Sequence, residues 1–278
     1  MDNVLRALVY DNQVSLTLAD VTEMVKEGKR RHRLSQSATY VFGKTLAAMT
    51  FMSACLKEEK GEISLAIKSD GLGGDIAVSG NRSLFLRGYI DNTQAVGEES
   101  EVLGEQGALT IIRDDGYNIP FVGSCALAKG EIDPSFEEYF RISEQLPTYL
   151  KTTVEFDQQG EVTFAGIAVL QPLPFATPDV LEKVQTYALQ NLLDGMKDKG
   201  VEACAAQYFE DRQTVQLREA RYQCNCSREY LKRVLVSLGK AQTQEVLDEQ
   251  GSVKIHCHYC NTDYEFTQED ADCLFENA

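Results

Sequence analysis

Alternating and helically spaced apolar positions divide the chain into a long mixed stretch and a short terminal one. Leu5 to Tyr10 and Val14 to Leu18 flank Asp11-Asn12-Gln13, the pattern of a hairpin. Val21 to Leu56 reads as helix with a break near Leu34-Ser35, and Ser35 or Ser37 is placed to cap the apolar segment Tyr40 to Leu56. Strands are predicted over Glu62 to Lys68, Asp75 to Ser79 and Leu84 to Ile90, separated by turns rich in Gly and Asn. A second hairpin joins Ala108 to Arg113 and Tyr117 to Ala126 around Asp114-Asp115-Gly116. Asp133-Pro134-Ser135 opens a short helix through Phe136, Tyr139 and Phe140 that stops before Pro147. A last hairpin runs from Thr148 to Phe156 and from Val162 to Leu170.

Gln171-Pro172-Leu173-Pro174 marks a domain edge. Thr177-Pro178-Asp179 then starts a helix whose apolar stripe is Val180, Leu181, Val184, Ala188, Leu192 and Leu193. A second helical piece, Val201 to Glu210, leads to a strand-like Thr214 to Leu217. An amphipathic segment must lay its apolar face on something, and the cover is expected from the preceding domain or from the module that follows. Beyond it, Ser227 can cap a helix through Tyr230, Leu231, Val234, Leu235 and Leu238, with Gly239 as its stop. Val253 to Ile255 and Tyr264 to Phe266 form a small hairpin, and Thr267 can cap a final helix through Leu274 and Phe275. The expected fold class is α+β: an N-terminal mixed α/β domain at 1–172, a helical linker at 173–222 and a small C-terminal domain at 223–278.

Composition narrows the function classes. With 43% hydrophobic and 25% charged residues over 278 positions, wholesale disorder is excluded. A net charge of −16 argues against nucleic acid as the main partner, because phosphate binding relies on clustered Lys and Arg. No apolar run approaches the roughly 18 residues of a membrane span. The start, Met1-Asp2-Asn3-Val4-Leu5-Arg6, lacks the pattern of a signal peptide. A cytoplasmic protein with neither nucleic-acid nor membrane partners is expected.

In a reducing compartment the eight cysteines point to metal binding or redox chemistry rather than a disulfide framework. Cys224-Asn225-Cys226 and Cys257-His258-Tyr259-Cys260 are two close thiol pairs whose short spacers let each clamp one edge of a tetrahedron. A permanently closed structural zinc site, an oxidisable zinc switch, an iron–sulfur cluster and a thiol-exchange pair all use such residues; His256 or His258 could also replace a cysteine ligand. Two arguments favour the switch. A C-x-C pair closes only a tight, strained disulfide ring that is readily reduced again, and zinc holds the thiolate form that oxidants attack. The module has few large apolar residues. Structural zinc contributes on the order of 10 kcal/mol or more, comparable to the whole stability of a small domain.

At these residues the chain resembles the 33 kDa chaperonin family of redox-regulated heat-shock holdases. It carries that family's C-x-C, a spacer of about thirty residues and C-x-x-C, within Cys224-Asn225-Cys226-Ser227-Arg228-Glu229 and His256-Cys257-His258-Tyr259-Cys260. Glu138-Tyr139-Phe140, Ser143-Glu144-Gln145-Leu146-Pro147-Thr148, Ser69-Asp70-Gly71 and Arg87-Gly88 extend the likeness over the chain. The resemblance implies an ATP-independent chaperone of the oxidative stress response, inactive when reduced with one Zn2+ on Cys224, Cys226, Cys257 and Cys260. It implies disulfides Cys224–Cys226 and Cys257–Cys260 on oxidation, zinc release, disorder of the module and linker, dimerisation, and binding of unfolded client proteins. No catalytic residue is implied, and the protein is not expected to be an enzyme.

Val180, Leu181, Val184, Leu192 and Leu193 are the candidate client-binding residues. Cys55, Cys125 and Cys204 sit among small or apolar neighbours and read as buried hydrophobes, while Cys273 lies in the module expected to unfold. Lys29-Arg30-Arg31-His32-Arg33 reads as a solvated helix face, with a role in holding acidic linker segments or clients as the weaker alternative. Gly71-Leu72-Gly73-Gly74 lacks the Lys-Ser/Thr of a phosphate loop and reads as a turn. The rival readings are a constitutive zinc-ribbon adaptor for a protein partner and a disulfide reductase using Cys257 and Cys260.

Overall fold

Ten strand-forming runs pair into one sheet in the computed structural model, which describes residues 2–276. They are β1 (Asp2–Val9), β2 (Val14–Asp20), β3 (Glu62–Ser69), β4 (Ile76–Asn81), β5 (Phe85–Ile90), β6 (Gly107–Asp114), β7 (Phe121–Ala126), β8 (Tyr149–Phe156), β9 (Val162–Pro172) and β10 (Gln213–Tyr222). Their order across the sheet is β7-β6-β3-β4-β5-β10-β1-β2-β9-β8. Every neighbouring pair is antiparallel except β10 with β5, a parallel contact confined to Arg221 opposite Phe85 and Tyr222 opposite Leu86. β10 is thus the seam between two antiparallel sets.

Period-two alternation sends consecutive residues to opposite faces; one face carries a core along the sheet, and the other is covered over β1, β2 and β9. Val4 belongs to a core with α1 (Thr22–His32) and α2 (Gln36–Ala54). Leu5 belongs to a second core on the other face, with Leu16, Leu18, Val184, Leu192 and Leu193. Helix α2 is buried almost all round, which explains why its sequence is apolar without a clear stripe. Ser35 starts it, its hydroxyl accepting the Ala38 amide at 3.1 Å. Its buried Lys44 is satisfied by Glu99, at 2.7 and 2.8 Å, and lies 3.7 Å from Asp133. Glu99 opens α3 (Glu99–Leu103), a five-residue helix too short to show periodicity in sequence, held by a capping box between Glu98 and Glu101. Helix α4 (Ile132–Tyr139) runs on into a π-helical turn, Phe140–Glu144.

The stretch 173–222, read as a helical linker, carries α5 (Pro178–Gln185), α6 (Gln190–Lys199), α7 (Val201–Tyr208) and all of β10. Its apolar stripe is covered by the sheet, through β1, β2 and β9, and the strand extends to Tyr222. The chain divides into two compact units, 1–223 and 224–278. β7 begins at Phe121 rather than Tyr117, because the Asp115 carboxylate takes the amides of Tyr117 and Asn118 at 2.8 Å each and holds them in a turn.

Two glycines of the motifs quoted above stand where no side chain fits. A Cβ on Gly88 would lie 2.6 Å from the Ala77 carbonyl. One on Gly71 would meet the backbone of Leu103 and Gly104, so Gly71-Leu72-Gly73-Gly74 is a turn packed against α3. Gly88 also receives β10: the Tyr222 hydroxyl donates to its carbonyl at 2.8 Å and lies 3.0 Å from His32 Nε2.

Helix α1 has no cap of its own, since Val21 stands at its N-cap. Asp2 of β1 supplies one from a distance, accepting the Glu23 and Met24 amides at 2.8 and 2.6 Å. Burial pushes the Asp2 carboxyl from its ordinary 3.8 up to about 7, against the lowering effect of those two amides. Its folded value lies above its unfolded one, so the stability it lends is complete below about pH 3.8 and lost as the pH rises through about 7. Urea denaturation of Asp2→Asn between pH 4 and 8 is expected to show a shallower fall in stability with rising pH than the parent protein.

Candidate metal centre

The second unit is built from α8 (Arg228–Leu238), α9 (Lys240–Gln250), β11 (Val253–Cys257), β12 (Thr262–Phe266) and α10 (Gln268–Glu276). The Ser227 hydroxyl accepts the Tyr230 amide at 3.1 Å, starting α8 directly after Cys226. Gly239, at φ +98°, ends it. Helix α9 was not foreseen: only Thr243 and Leu247 of it are buried, too few to print an apolar stripe. Cys257 ends β11, and the Asn261 amide reaches back to its carbonyl at 2.8 Å. Asn261, at φ +53°, takes the left-handed conformation that turns the chain into β12. The hairpin thereby presents Cys257 and Cys260 from one loop.

The sulfurs of Cys224, Cys226, Cys257 and Cys260 all lie within 4.8 Å of one another and could hold a metal ion. Tetrahedral thiolate sites with metal–sulfur bonds of about 2.3 Å place their sulfurs about 3.8 Å apart. The contacts across the two pairs are 3.7 Å for Cys224 with Cys257 and 3.1 Å for Cys226 with Cys260. Cys260 is buried and the other three are half-buried. Neither His256 nor His258 belongs to the group. His256 Nδ1 lies 2.7 Å from Asp263, and the two imidazoles meet edge to face with centroids 4.9 Å apart.

Electrostatics make the four sulfurs unequal. Burial pushes the Cys260 thiol up to about 11 and raises Cys224 further. Burial acts the same way on Cys226, but hydrogen bonds from Tyr264 and the neighbouring thiols outweigh it and draw Cys226 down to about 7. The Tyr264 hydroxyl lies 3.3 Å from Cys226 Sγ, and this bond raises the tyrosine well above its ordinary value. Thr262 Oγ1 sits 3.4 Å from Cys260 Sγ. Tyr264 and Thr262 therefore support the sulfurs from behind, a role their sequence pattern, which marks them only as strand residues, did not reveal. The pairing of Ile255 with Tyr264 in the β11–β12 ladder brings that phenol beside the cluster.

The unit's own core is small, made of Leu231, Leu235, Leu247, Val253, Phe266 and Ala271. Arg228 adds one clasp, stacked 4.5 Å over the Phe266 ring and bonded to Asp270 at 2.7 Å and to the Glu265 carbonyl at 2.8 Å.

The remaining sequence candidates lie elsewhere. Val180, Val184, Leu192 and Leu193 are buried in the second core of the first unit, and Leu181 is 38% exposed. Cys125 and Cys204 are buried, with burial pushing each thiol up to about 11. Cys55 is half-buried and Cys273 exposed. Among the described residues no helix is long and apolar enough to cross a membrane.

A family model described as Hsp33 protein matches residues 2–267. The 33 kDa chaperonins of Bacillus cereus and Bacillus anthracis are each 32% identical to this chain over 292 aligned positions, covering 99% of both partners. The crystal structure of the 33 kDa chaperonin (heat shock protein 33 homolog) from Thermotoga maritima superposes with a TM-score of 0.83 at 26% identity, covering 99% of this chain and 98% of that one.

The arrangement assigns Tyr264 a measurable part. Tyr264→Phe is expected to weaken metal binding about ten-fold, read by chelator competition with cobalt(II) as a spectroscopic probe, while far-ultraviolet circular dichroism of the loaded protein stays unchanged.

Proposed function

The chain belongs to the Hsp33 protein family, and from that premise we propose that it is an ATP-independent holdase of the cytoplasm, switched by oxidation of a zinc–thiolate site. The observation that carries this reading is the convergence of four thiols within 4.8 Å in a unit whose core is only a handful of side chains. The donor set is all sulfur and compact, which suits Zn2+, an ion without geometric preference of its own that accepts a tetrahedron of thiolates. Cys224, Cys226, Cys257 and Cys260 are its proposed ligands in the reduced protein.

Oxidation of the four thiolates to two disulfides releases four electrons to an oxidant such as hypochlorite or peroxide and leaves no anionic donor to hold the ion. The proposed pairs are Cys224–Cys226 and Cys257–Cys260. Contacts of 3.7 and 3.1 Å run across the pairs, and an S–S bond is about 2.05 Å long, so forming these disulfides requires the sulfurs of each pair to close on one another as they react. A structural zinc site contributes roughly 10–16 kcal/mol, as much as the net stability of a whole domain, so its loss unfolds the small unit. The stretch 173–222 follows as a linker, and its apolar stripe, Val180, Leu181, Val184, Leu192 and Leu193, becomes a surface for unfolded proteins. Residues 1–172 provide the body of the chaperone and the interface of an activated homodimer. The cysteines are consumed stoichiometrically, which is binding chemistry and not turnover.

The test compares reduced, zinc-loaded protein with hypochlorite-treated protein in one aggregation assay, with released zinc and free thiols counted. Suppression is expected only after oxidation, with one zinc ion released and four thiols lost per chain. Retention of zinc with an intact fold would identify the adaptor instead, and turnover of an external dithiol the reductase. The client surface has its own probe. Leu181, already half exposed, can be changed without opening a core, so Leu181→Ser is expected to leave the reduced fold intact and to weaken suppression by the oxidised form.

A further inference from the structure

Cationic side chains are outnumbered in this chain, 27 Lys and Arg against 43 Asp and Glu, and most arginines that approach a carboxylate hold it. Arg113, Arg141 and Arg228 each do so at 2.6 to 2.7 Å. Arg6, Arg82 and Arg218 do not. Arg6 of β1 stands opposite Gln216 of β10, and Arg218 follows two residues along on the same face. Diagonal neighbours of this kind lie about 7–8 Å apart. Arg218 donates to the carbonyl of Arg82, in the turn between β4 and β5. Arg6 donates to the Ala54 carbonyl at the end of α2, at 3.1 Å. All three are half-buried, and no carboxylate partners any of them among the described residues.

The cluster is also short of hydrogen-bond partners. Arg6 Nε is buried with no acceptor, and Gln216 Oε1 beside it is buried with no donor. An unpaired buried donor costs free energy that an acceptor would recover. Burial and the charges of Arg82 and Arg6 pull Arg218 below its ordinary value, as expected where like charges meet without a counter-ion. An anion answers both deficits at once: it offsets the repulsion and accepts from a planar, forked donor set. Rotation of the Gln216 amide would add its NH2 to the same space.

We infer that Arg6, Arg82 and Arg218 form a binding site for a phosphate-type oxyanion, free or as part of a phosphate chain. The three arginines come from β1, the β4–β5 turn and β10, so a bound oxyanion bonds the seam strand to both sides of the sheet. The site lies wholly within the first unit and does not depend on the zinc reading.

The experiment is calorimetric titration of the reduced full-length protein with inorganic phosphate and with tripolyphosphate, at ionic strength held constant with sodium chloride. Saturable binding is expected, weakened about ten-fold or more by Arg82→Gln and by Arg218→Gln and unchanged by Arg141→Gln, whose charge already holds Glu138. Stronger binding of tripolyphosphate identifies a phosphate chain as the natural form; equal or weaker binding identifies the free ion. Both glutamine variants remove mutually repelling charges and are expected to fold at least as stably as the parent. Phosphate is expected to raise the urea midpoint of the parent protein above that in chloride, a readout that needs no variant. Absence of saturable binding, or binding equal in the parent and both arginine variants, would overturn the assignment.

Discussion

Four sulfurs confined within 4.8 Å set the terms for everything in the C-terminal unit. As thiols they are poor company, because burial opposes ionisation at Cys224 and Cys260 while the Tyr264 hydroxyl draws Cys226 toward the thiolate. As four thiolates they would repel one another strongly at such separations. A cation in their midst removes the conflict, and so does covalent pairing. Those two resolutions exclude each other, since a sulfur bonded to sulfur has no charge left to offer a metal. A site of this kind is bistable by chemistry before any larger motion is considered, and the thin core around it leaves the unit without a reserve of apolar burial.

The first unit is organised differently. Its helix α2 is buried almost all round, and its sheet carries one core on one face and a second over β1, β2 and β9 on the other, so no single ion or bond decides its stability. The stretch 173–222 takes part in that packing. Its apolar residues serve as core while they lie on β1, β2 and β9, and the same residues could meet another chain only after leaving the sheet. A surface that is hydrophobic enough to bind unfolded protein must be hidden in the resting molecule, or it would bind its own kind. Occupying a core is one way to hide it.

Much of this was legible in the chain. Alternation around Asp11-Asn12-Gln13 and on either side of the gap between Phe156 and Val162 located hairpins, and Ser35 and Ser227 marked helix starts that the hydroxyl bonds bear out. The C-x-C and C-x-x-C spacing gathered the four cysteines. What escaped were features that depend on distant partners. Helix α3 exists to bring Glu99 to Lys44, an attachment 55 residues away in sequence. Asp2 caps a helix it does not belong to. β10 reads only weakly as a strand because most of its residues on one face are exposed, and its place is fixed by β1 rather than by its own pattern. Tyr264 became visible as part of the site only once the β11–β12 register was known.

The seam at β10 closes on two backbone bonds and one side chain. The Arg221 and Gln223 amides donate to the Leu84 and Leu86 carbonyls at 2.9 and 2.8 Å, the Tyr222 hydroxyl sits between Gly88 and His32, and the next cysteine in the chain is Cys224. Under the proposed loss of the metal, disorder travelling backward from the sulfur cluster would meet the Gln223 amide bond and the Tyr222 phenol before it reached the ladder with β1. Under the proposed switch, these few bonds are the first that an unravelling of the C-terminus would have to break.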